Sequence, residues 1–196
     1  MEILRRADMV PLIHLPGTEM VYSNLSMMLM RQIVESITHL TLDRFLQQRV
    51  FGPLGMRRNL FSPPRSLQAL IPPAEDDHRL RKRIIQGEVH DQNSWMMGGV
   101  AGHAGLFSTA SDLSVFEQML LNGGIYGRKR ILKQSTVEEF TRRQDIIAGS
   151  SWALGWDTPW DGSSAGHYLS PRAFGHTGFT GTSMWAIPIN SSSSFC

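Results

Sequence analysis

Apolar residues recur at helical spacing in the first fifty residues of the chain. Four of them follow one another at intervals of four and would share one side of a helix: Leu25, Leu29, Ile33 and Ile37. Asn24 stands directly before this run, where its side-chain oxygen is suited to cap the free backbone amides of the first turn. A second helix is predicted to begin after Thr41 and to end at Gly52-Pro53, because proline lacks a backbone amide and obstructs the preceding turn.

The middle of the chain has a weaker pattern. Residues 57–80 are rich in proline, arginine and serine and predict a long surface crossing with little regular structure. Residues 82–90 could form a short strand. A third helix is predicted to begin near Ser111 and to end at Gly123-Gly124, which supply the backbone freedom that a helix end requires.

The final third changes from helical to extended patterning. Residues 135–138 read Ser-Thr-Val-Glu, a capping-box pattern that predicts a fourth helix running to about Arg143. Beyond it, residues 152–156, 174–177 and 182–187 read as strands separated by glycine-rich turns. Helices followed by antiparallel strands predict the α+β class.

Composition and charge are those of an ordinary globular domain. The 196 residues are 41% hydrophobic and 18% charged, and 19 basic against 17 acidic residues leave a formal charge of only +2. The one dense basic cluster, residues 79–83, is followed by Ile84-Ile85 and has no interleaved aromatic residues. We therefore interpret it as a solvated edge and expect no nucleic-acid partner.

The sequence contains few clues to the cellular compartment. Cys196 is the single cysteine, so the chain cannot form an internal disulfide. Residues 1–16 do not resemble a signal peptide, and no run of about 18 apolar residues predicts a membrane span. The compartment stays open.

Two short motifs carry the candidate chemistry, and a third is absent. Tyr22-Ser23-Asn24 lies near the start of the chain, and His176-Thr177-Gly178 lies near its end. Together they resemble the second and third active-site motifs of the serine β-lactamase and penicillin-binding-protein superfamily, in its class C and esterase-like branch. The first motif of that family, Ser-x-x-Lys, supplies the nucleophile, and no serine of this chain has a lysine three positions later.

Three further segments carry the same resemblance. Residues 50–56 resemble a helix-ending Pro-Leu-Gly-Met segment, and residues 102–112 resemble a Gly-Leu-x-Ser-Thr-x-x-Asp stretch that leads into a helix. Residues 174–188 resemble the strand pair that carries the third motif. The order of all five segments agrees, which implies a partial β-lactamase/DD-peptidase-like domain with a helical region and an incomplete antiparallel sheet.

The resemblance implies roles for the motif residues. Enzymes of this family attack an ester or amide carbonyl with serine and form an acyl-enzyme that water hydrolyses. Tyr22 would act with the missing lysine as the base that activates the serine, and Asn24 would orient the substrate amide. Substrate would align beside Thr177 and Gly178, and the backbone amide of Phe179 would supply one oxyanion-hole donor.

His176 stands where many family members carry lysine. It would present a hydrogen-bond donor, or a charge when protonated, toward a substrate carboxylate. Because esterase-like members often carry histidine there, this departure favours neutral or ester substrates over carboxylate-bearing β-lactams.

Other motifs are interpreted as structural rather than catalytic or metal-binding. His90, Asp91 and His103 lie near one another in sequence but lack metal-ligand spacing, so we expect no metal and no cofactor. Residues 162–166 match Gly-x-Ser-x-Gly, but neither a buried strand before them nor a helix after them is predicted, so we expect a loop. Tyr22 and Asn24 could also be only a strand-end residue and a helix cap.

The sequence therefore predicts an incomplete serine hydrolase domain over residues 1–190 and an unstructured tail over residues 191–196. We expect a fragment that is inactive alone, whose complete parent acts on a small ester, β-lactam or peptidoglycan-type amide. A pseudoenzyme that binds a ligand or partner protein is the alternative, and hydrolysis through Ser164 or Ser23 is the third hypothesis. We also expect exposed sheet edges, with an uncovered apolar face near Phe174 and Trp185, to permit self-association.

Overall fold

The structure is a computed structural model that describes residues 2–188. Within this range the helices are α1 (Glu2–Ala7), α2 (Asn24–Thr38), α3 (Leu42–Leu46), α4 (Gly52–Leu54), α5 (Gln92–Met96), α6 (Ala110–Leu121) and α7 (Gln134–Thr141). The strands are β1 (Glu75–Asp77), β2 (Arg83–Ile85), β3 (Ile125–Tyr126), β4 (Lys129–Arg130), β5 (Phe174–Thr177) and β6 (Ser183–Ala186). The predicted tail, residues 191–196, lies outside the described residues.

The chain divides into two compact units. The first unit comprises Met1–Ile13 and Val21–Val115, and the second comprises His14–Met20 and Phe116–Cys196. Motif two, Tyr22-Ser23-Asn24, belongs to the first unit, and motif three, His176-Thr177-Gly178, belongs to the second.

The first unit buries one side of α2. Met28 packs in a small core with Met97 and Ala101, and Ile3 and Leu4 of α1 cover it. Burial of such apolar side chains supplies about 25 cal/mol per Å² removed from water, so this cluster holds α1 and α2 together.

The second predicted helix continues past the proline that should have ended it. After α3 the chain forms one π-helical turn, Gln47–Phe51, and then α4, which contains Pro53 and is capped by Gly55 with φ 72°. Pro53 lies in the first turn of α4, where a missing backbone amide leaves no helical hydrogen bond unmade. Phe51 and Leu54 are buried, and the helical segment ends at Leu54, one residue after the predicted stop at Gly52-Pro53.

The arginine-rich region contains more regular structure than predicted. Arg65–Leu70 is a 3₁₀ helix, and β1 pairs with β2 in an antiparallel hairpin. In the hairpin turn, Asp77 accepts hydrogen bonds from the backbone amides of Arg79, Leu80 and Arg81. The amide of Leu80 is the main cause that lowers the pKa of the Asp77 carboxyl below its ordinary value of 3.8, with smaller contributions from the amides of Arg81 and Arg79 and the Arg81 charge, against an opposing effect of burial.

The third and fourth helices form close to their predicted bounds. α6 ends at Leu121, and Gly123 and Gly124 follow with φ of 64° and 89°, as predicted. The capping box is wrong, because Ser135 lies inside α7 and the cap position belongs to Lys133, which makes no side-chain cap bond. β3 and β4, each two residues long, pair as an antiparallel hairpin between these helices.

The sheet of motif three is a short antiparallel pair. β5 pairs with β6 in the register Phe174↔Ala186 to Thr177↔Ser183. Phe174 is only 3% exposed and packs edge-on against Trp156 at 5.4 Å between ring centroids. The expectation of an uncovered apolar face is therefore wrong at Phe174. Self-association through exposed sheet edges stays a prediction.

Small antiparallel sheets among helices confirm the predicted α+β class with an incomplete sheet. Of the helices described within residues 2–188, none is both long and apolar enough to cross a membrane.

Candidate functional site

Motif two lies at the exposed start of α2. Ser23 is the N-cap residue, with φ −149° and ψ 132°, and its hydroxyl oxygen accepts a hydrogen bond from the backbone amide of Leu25 at 3.1 Å. Asn24 is the first helical residue rather than the predicted cap, because the extended backbone that a cap requires falls one residue earlier. The Asn24 side chain is therefore not committed to closing the helix, and Tyr22 precedes it with 63% of its surface exposed.

A groove of about 550 Å³ runs beside motif two within the first unit. Its lining combines the motif residues with the apolar surface of α1 and two polar side chains, Arg6 and Asn93. The motif side chains thus border a space large enough for a small ligand. No spacing pattern in the sequence points to Arg6 or Asn93, because the fold brings them there from α1 and α5.

The glycine-rich loop, residues 98–105, packs against the first turns of α2. A Cβ atom on Gly102 would overlap the backbone oxygen of Met27, so the close approach requires glycine. Arg31 of α2 donates to the backbone oxygen of Val100 and, at 3.0 Å, to Oε1 of Glu35. These contacts fix the loop to the helix that carries motif two.

The buried His103 ring pairs with the partly exposed Asp91 in the same unit. Oδ1 of Asp91 caps α5 by accepting the amide of Ser94 at 2.7 Å, and it lies 2.9 Å from Nε2 of His103, whose side chain is 3% exposed. His90 instead pairs with Glu75. Within residues 2–188, no group of three or more histidine, cysteine or acidic side chains could hold a metal ion. The pair joins the glycine-rich loop to α5.

Motif three occupies the end of β5 and the turn that follows. Thr177 is the last residue of the strand, and the amide of Gly178 donates to the backbone oxygen of Thr182 at 2.7 Å to close the turn. A Cβ atom on Gly178 would overlap Oγ1 of Thr182, which explains the glycine of this motif. Phe179 lies in the turn with its side chain 92% exposed.

The contacts of His176 define what its ring can donate. Nδ1 lies 2.6 Å from the backbone oxygen of Thr177, and because a carbonyl only accepts, Nδ1 carries the proton. In the neutral ring Nε2 is then an acceptor, and it becomes a donor only when the ring is protonated. His176 can therefore donate a hydrogen bond from Nε2 to a substrate carboxylate only when its ring is protonated on both nitrogens.

Trp152 is a neighbour of motif three that sequence reasoning did not assign to the site. Its ring centroid lies 5.5 Å from that of His176 at an interplanar angle of 54°. A backbone ladder explains the placement, because Asp157 pairs with Gly175 on one side and with Trp152 on the other. Only a long-range pairing reveals this contact, so the sequence carried no local signal for it.

The two serines of the third hypothesis lie in different settings. Ser164 sits in a turn of the second unit, and no strand or helix flanks residues 162–166, as expected for a loop. The Ser23 oxygen caps α2. Neither setting resembles the strand-to-helix elbow of a Gly-x-Ser-x-Gly nucleophile.

Comparisons with known proteins identify the family. The Beta-lactamase family model matches residues 1–193, and the chain belongs to that family. The "Putative D-alanyl-D-alanine carboxypeptidase" of Salmonella schwarzengrund (strain CVM19633) is 37% identical to this chain, in an alignment that covers 92% of this chain and 45% of the Salmonella protein. The chain thus spans about half the length of the curated relatives it matches.

Solved structures agree on the fold. A penicillin-binding protein homologue from Caulobacter crescentus has a TM-score of 0.65 at 17% identity, over 95% of this chain and 56% of that one. A β-lactamase from Mycobacterium bovis has a TM-score of 0.59 at 22% identity, over 90% of this chain and 55% of that one. The chain therefore has a partial β-lactamase/penicillin-binding-protein fold, and the family is one of serine hydrolases of the amide and ester type.

Proposed function

We propose that this chain supplies the second and third active-site motifs of a serine hydrolase that cleaves an ester or amide through an acyl-enzyme, and that it has no covalent activity by itself. One observation carries the proposal: both motifs are present, while no serine in the sequence is followed three residues later by lysine. Without a nucleophile the base and the oxyanion donors have no attacking atom to assist.

Each motif residue has a distinct role in the proposed enzyme. Tyr22 and the lysine of the Ser-x-x-Lys motif act together as the base that accepts the proton of the nucleophilic serine. Asn24 orients the substrate, and the backbone amide of Phe179 stabilises the oxyanion. The exposure of Tyr22 and Asn24 beside a groove of about 550 Å³ supports these roles, because a catalytic side chain must be reachable by substrate. The Salmonella relative is named for D-alanyl-D-alanine carboxypeptidase activity, which supports a D-alanyl-D-alanine peptide as the substrate class.

A chimaera tests the proposed function without requiring two chains to associate. The matched region of the Salmonella relative is replaced by this chain, and acylation by a fluorescent penicillin is followed by gel and intact mass. We expect labelling, and the Tyr22→Phe variant should be acylated about 10²-fold more slowly, the usual contribution of a general base. The Tyr126→Phe variant, on β3, is the matched control and should label normally.

The contradicting result is equally clear. A folded chimaera that is labelled at the same rate with and without the Tyr22 hydroxyl would refute the role of motif two.

The groove beside motif two also supports the alternative that this chain binds ligands without cleaving them. Saturable binding of a penicillin to the unmodified chain, without an adduct, would favour that alternative.

A further inference from the structure

A short hairpin, residues 151–158, lies beside the strand that carries motif three, and we call it the tryptophan hairpin. Its two sides meet at the bridge between Trp152 and Asp157. Asp157 pairs in turn with Gly175 of β5 through two backbone hydrogen bonds of 2.8 and 2.9 Å. These bonds fix the hairpin to β5 one residue before His176.

Two aromatic pairs flank this connection. Trp156 meets Phe174 edge-on at 5.4 Å between ring centroids, and Trp152 meets His176 at 5.5 Å. Phe174 is buried, so core packing accounts for the first pair. The His176 ring is only partly buried and belongs to motif three, so the second pair places an indole against a residue that we expect to face substrate.

The two protonation states of the His176 ring interact differently with an indole. A cation within about 6 Å of a tryptophan ring centroid is attracted by the ring quadrupole, and a neutral imidazole lacks this attraction. The separation of 5.5 Å lies within that range. Since Nδ1 donates to the backbone oxygen of Thr177, the charged ring is also the one that can donate from Nε2.

We propose that Trp152 is a positioning residue that holds the His176 ring and favours its charged form, and that it thereby directs the enzyme toward substrates with a free carboxylate over neutral esters. A peptide that ends in a free carboxylate belongs to this class. The inference rests on the proposed function for the reaction. It reverses the preference for neutral substrates that histidine at this position suggests from the sequence alone.

Other charges near the ring do not replace this effect. Asp157 is the charged residue of the tryptophan hairpin, and its Oδ1 accepts hydrogen bonds from Oγ of Ser151 and the backbone amide of Thr158. β6, whose Met184 lies opposite His176, contains no charged residue. A double-mutant cycle that leaves Asp157 in place in every variant therefore isolates the contribution of the indole.

Unfolding of the unmodified chain tests the contact without any substrate. Wild type, Trp152→Leu, His176→Gln and the double variant are unfolded with urea at pH 5.5 and at pH 8. At pH 5.5 we expect a coupling equivalent to a roughly two- to fivefold change in the unfolding equilibrium constant, the usual size of an exposed cation–π contact. At pH 8, where histidine is ordinarily neutral, the coupling should be smaller.

Equal coupling at both pH values would overturn the proposal, because it would show that the two rings only pack together. Trp152→Phe is a milder change that keeps an aromatic face. In a cycle with His176→Gln it should reduce the coupling at pH 5.5 less than Trp152→Leu does.

Substrate preference is measured in the chimaera described above. Acylation rates at pH 6 are compared for a penicillin, which carries a carboxylate, and for an uncharged p-nitrophenyl ester. Trp152→Leu should lower the ratio of the penicillin rate to the ester rate roughly two- to fivefold. Trp156→Leu is the matched control on the same hairpin, since it removes packing against Phe174 and should leave the ratio unchanged.

The outcomes separate this inference from the proposed function. A folded Trp152→Leu chimaera with an unchanged ratio would overturn the inference, as would an equal fall of the ratio in Trp156→Leu. A wild-type chimaera that neither probe acylates would refute the proposed function instead. The unfolding cycle would still decide whether Trp152 favours the charged ring.

Discussion

Ser23 and Asn24 are adjacent at the start of α2, yet the hydroxyl of Ser23 alone accepts the Leu25 amide. We expect Ser23→Ala to lower the free energy of unfolding by about 0.5–2 kcal/mol, the usual cost of a lost N-cap. Asn24→Ala is the control and should cost less, because Asn24 is already helical. Urea unfolding measures both, and a larger loss for Asn24→Ala would contradict the cap assignment.

Gly178 permits the closest approach in motif three. Gly178→Ala places a Cβ against Oγ1 of Thr182 and should cost about 1–3 kcal/mol of stability, as overpacking does. Adding Thr182→Ala removes the opposing oxygen and should restore most of the loss. Thermal unfolding of the single and double variants checks this, and a double variant no more stable than Gly178→Ala would show that the overlap is not the cause.

Asp77 makes stability depend on pH in a defined direction. Hydrogen bonds from the amide of Leu80, and then from those of Arg81 and Arg79, lower the pKa of its carboxyl in the folded state below the ordinary 3.8. The unfolded chain therefore binds the proton more readily, and the stabilisation is present above about pH 4 and lost as pH falls through the folded-state pKa.

Asp77→Asn removes that titration. Between pH 6 and pH 3 the wild-type chain should lose more free energy of unfolding than the variant does, whatever their difference at pH 6. Asp76→Asn, one residue earlier on β1, provides a control. Parallel pH profiles for wild type and Asp77→Asn would contradict the account.

Single residues could be predicted from the sequence only where the alternatives differ chemically. Gly178 followed from the motif, and the structure supplies its reason in Thr182. Serine and asparagine cap helices about equally well, so the sequence could not decide between Ser23 and Asn24. Backbone dihedral angles decide it.

At the level of elements, Arg31 is the unexpected contact. Arg31→Lys keeps the charge but cannot reach both Glu35 and the Val100 oxygen with a planar fork, so we expect a loss of about 1.5–3 kcal/mol. The control is Arg142→Lys, whose exposed pair with Glu139 should change stability by about 1 kcal/mol or less. Denaturant unfolding compares the two, and equal losses would refute a special role for Arg31.

Elements with local signals were predictable, and those fixed by distant contacts were not. α6 and its glycine stop follow from periodicity and backbone freedom. Pro53 is tolerated because it lies in the first turn of α4, and the π turn before it has no local signal in the sequence. The burial of Arg31 depends on Val100, 69 residues later.

For the whole molecule, motif order predicted the family and the fold class, and both are confirmed. Individual tripeptides are too short to identify a family, but five segments in order constrain one another. The groove beside Tyr22 and the placement of Trp152 next to His176 could not be predicted, because both arise from pairings between distant segments. The roles of Tyr22, Asn24, His176 and Phe179 stay predictions.

The central claim is that this chain carries two motifs of a serine hydrolase without a nucleophile. The most direct test exposes the unmodified chain to a fluorescent fluorophosphonate and a fluorescent penicillin and measures its intact mass. The account predicts no covalent adduct with either probe under conditions in which an active family member is fully labelled. A stoichiometric adduct would contradict it, and mapping the labelled serine, with Ser23 and Ser164 examined first, would locate the nucleophile that the account denies.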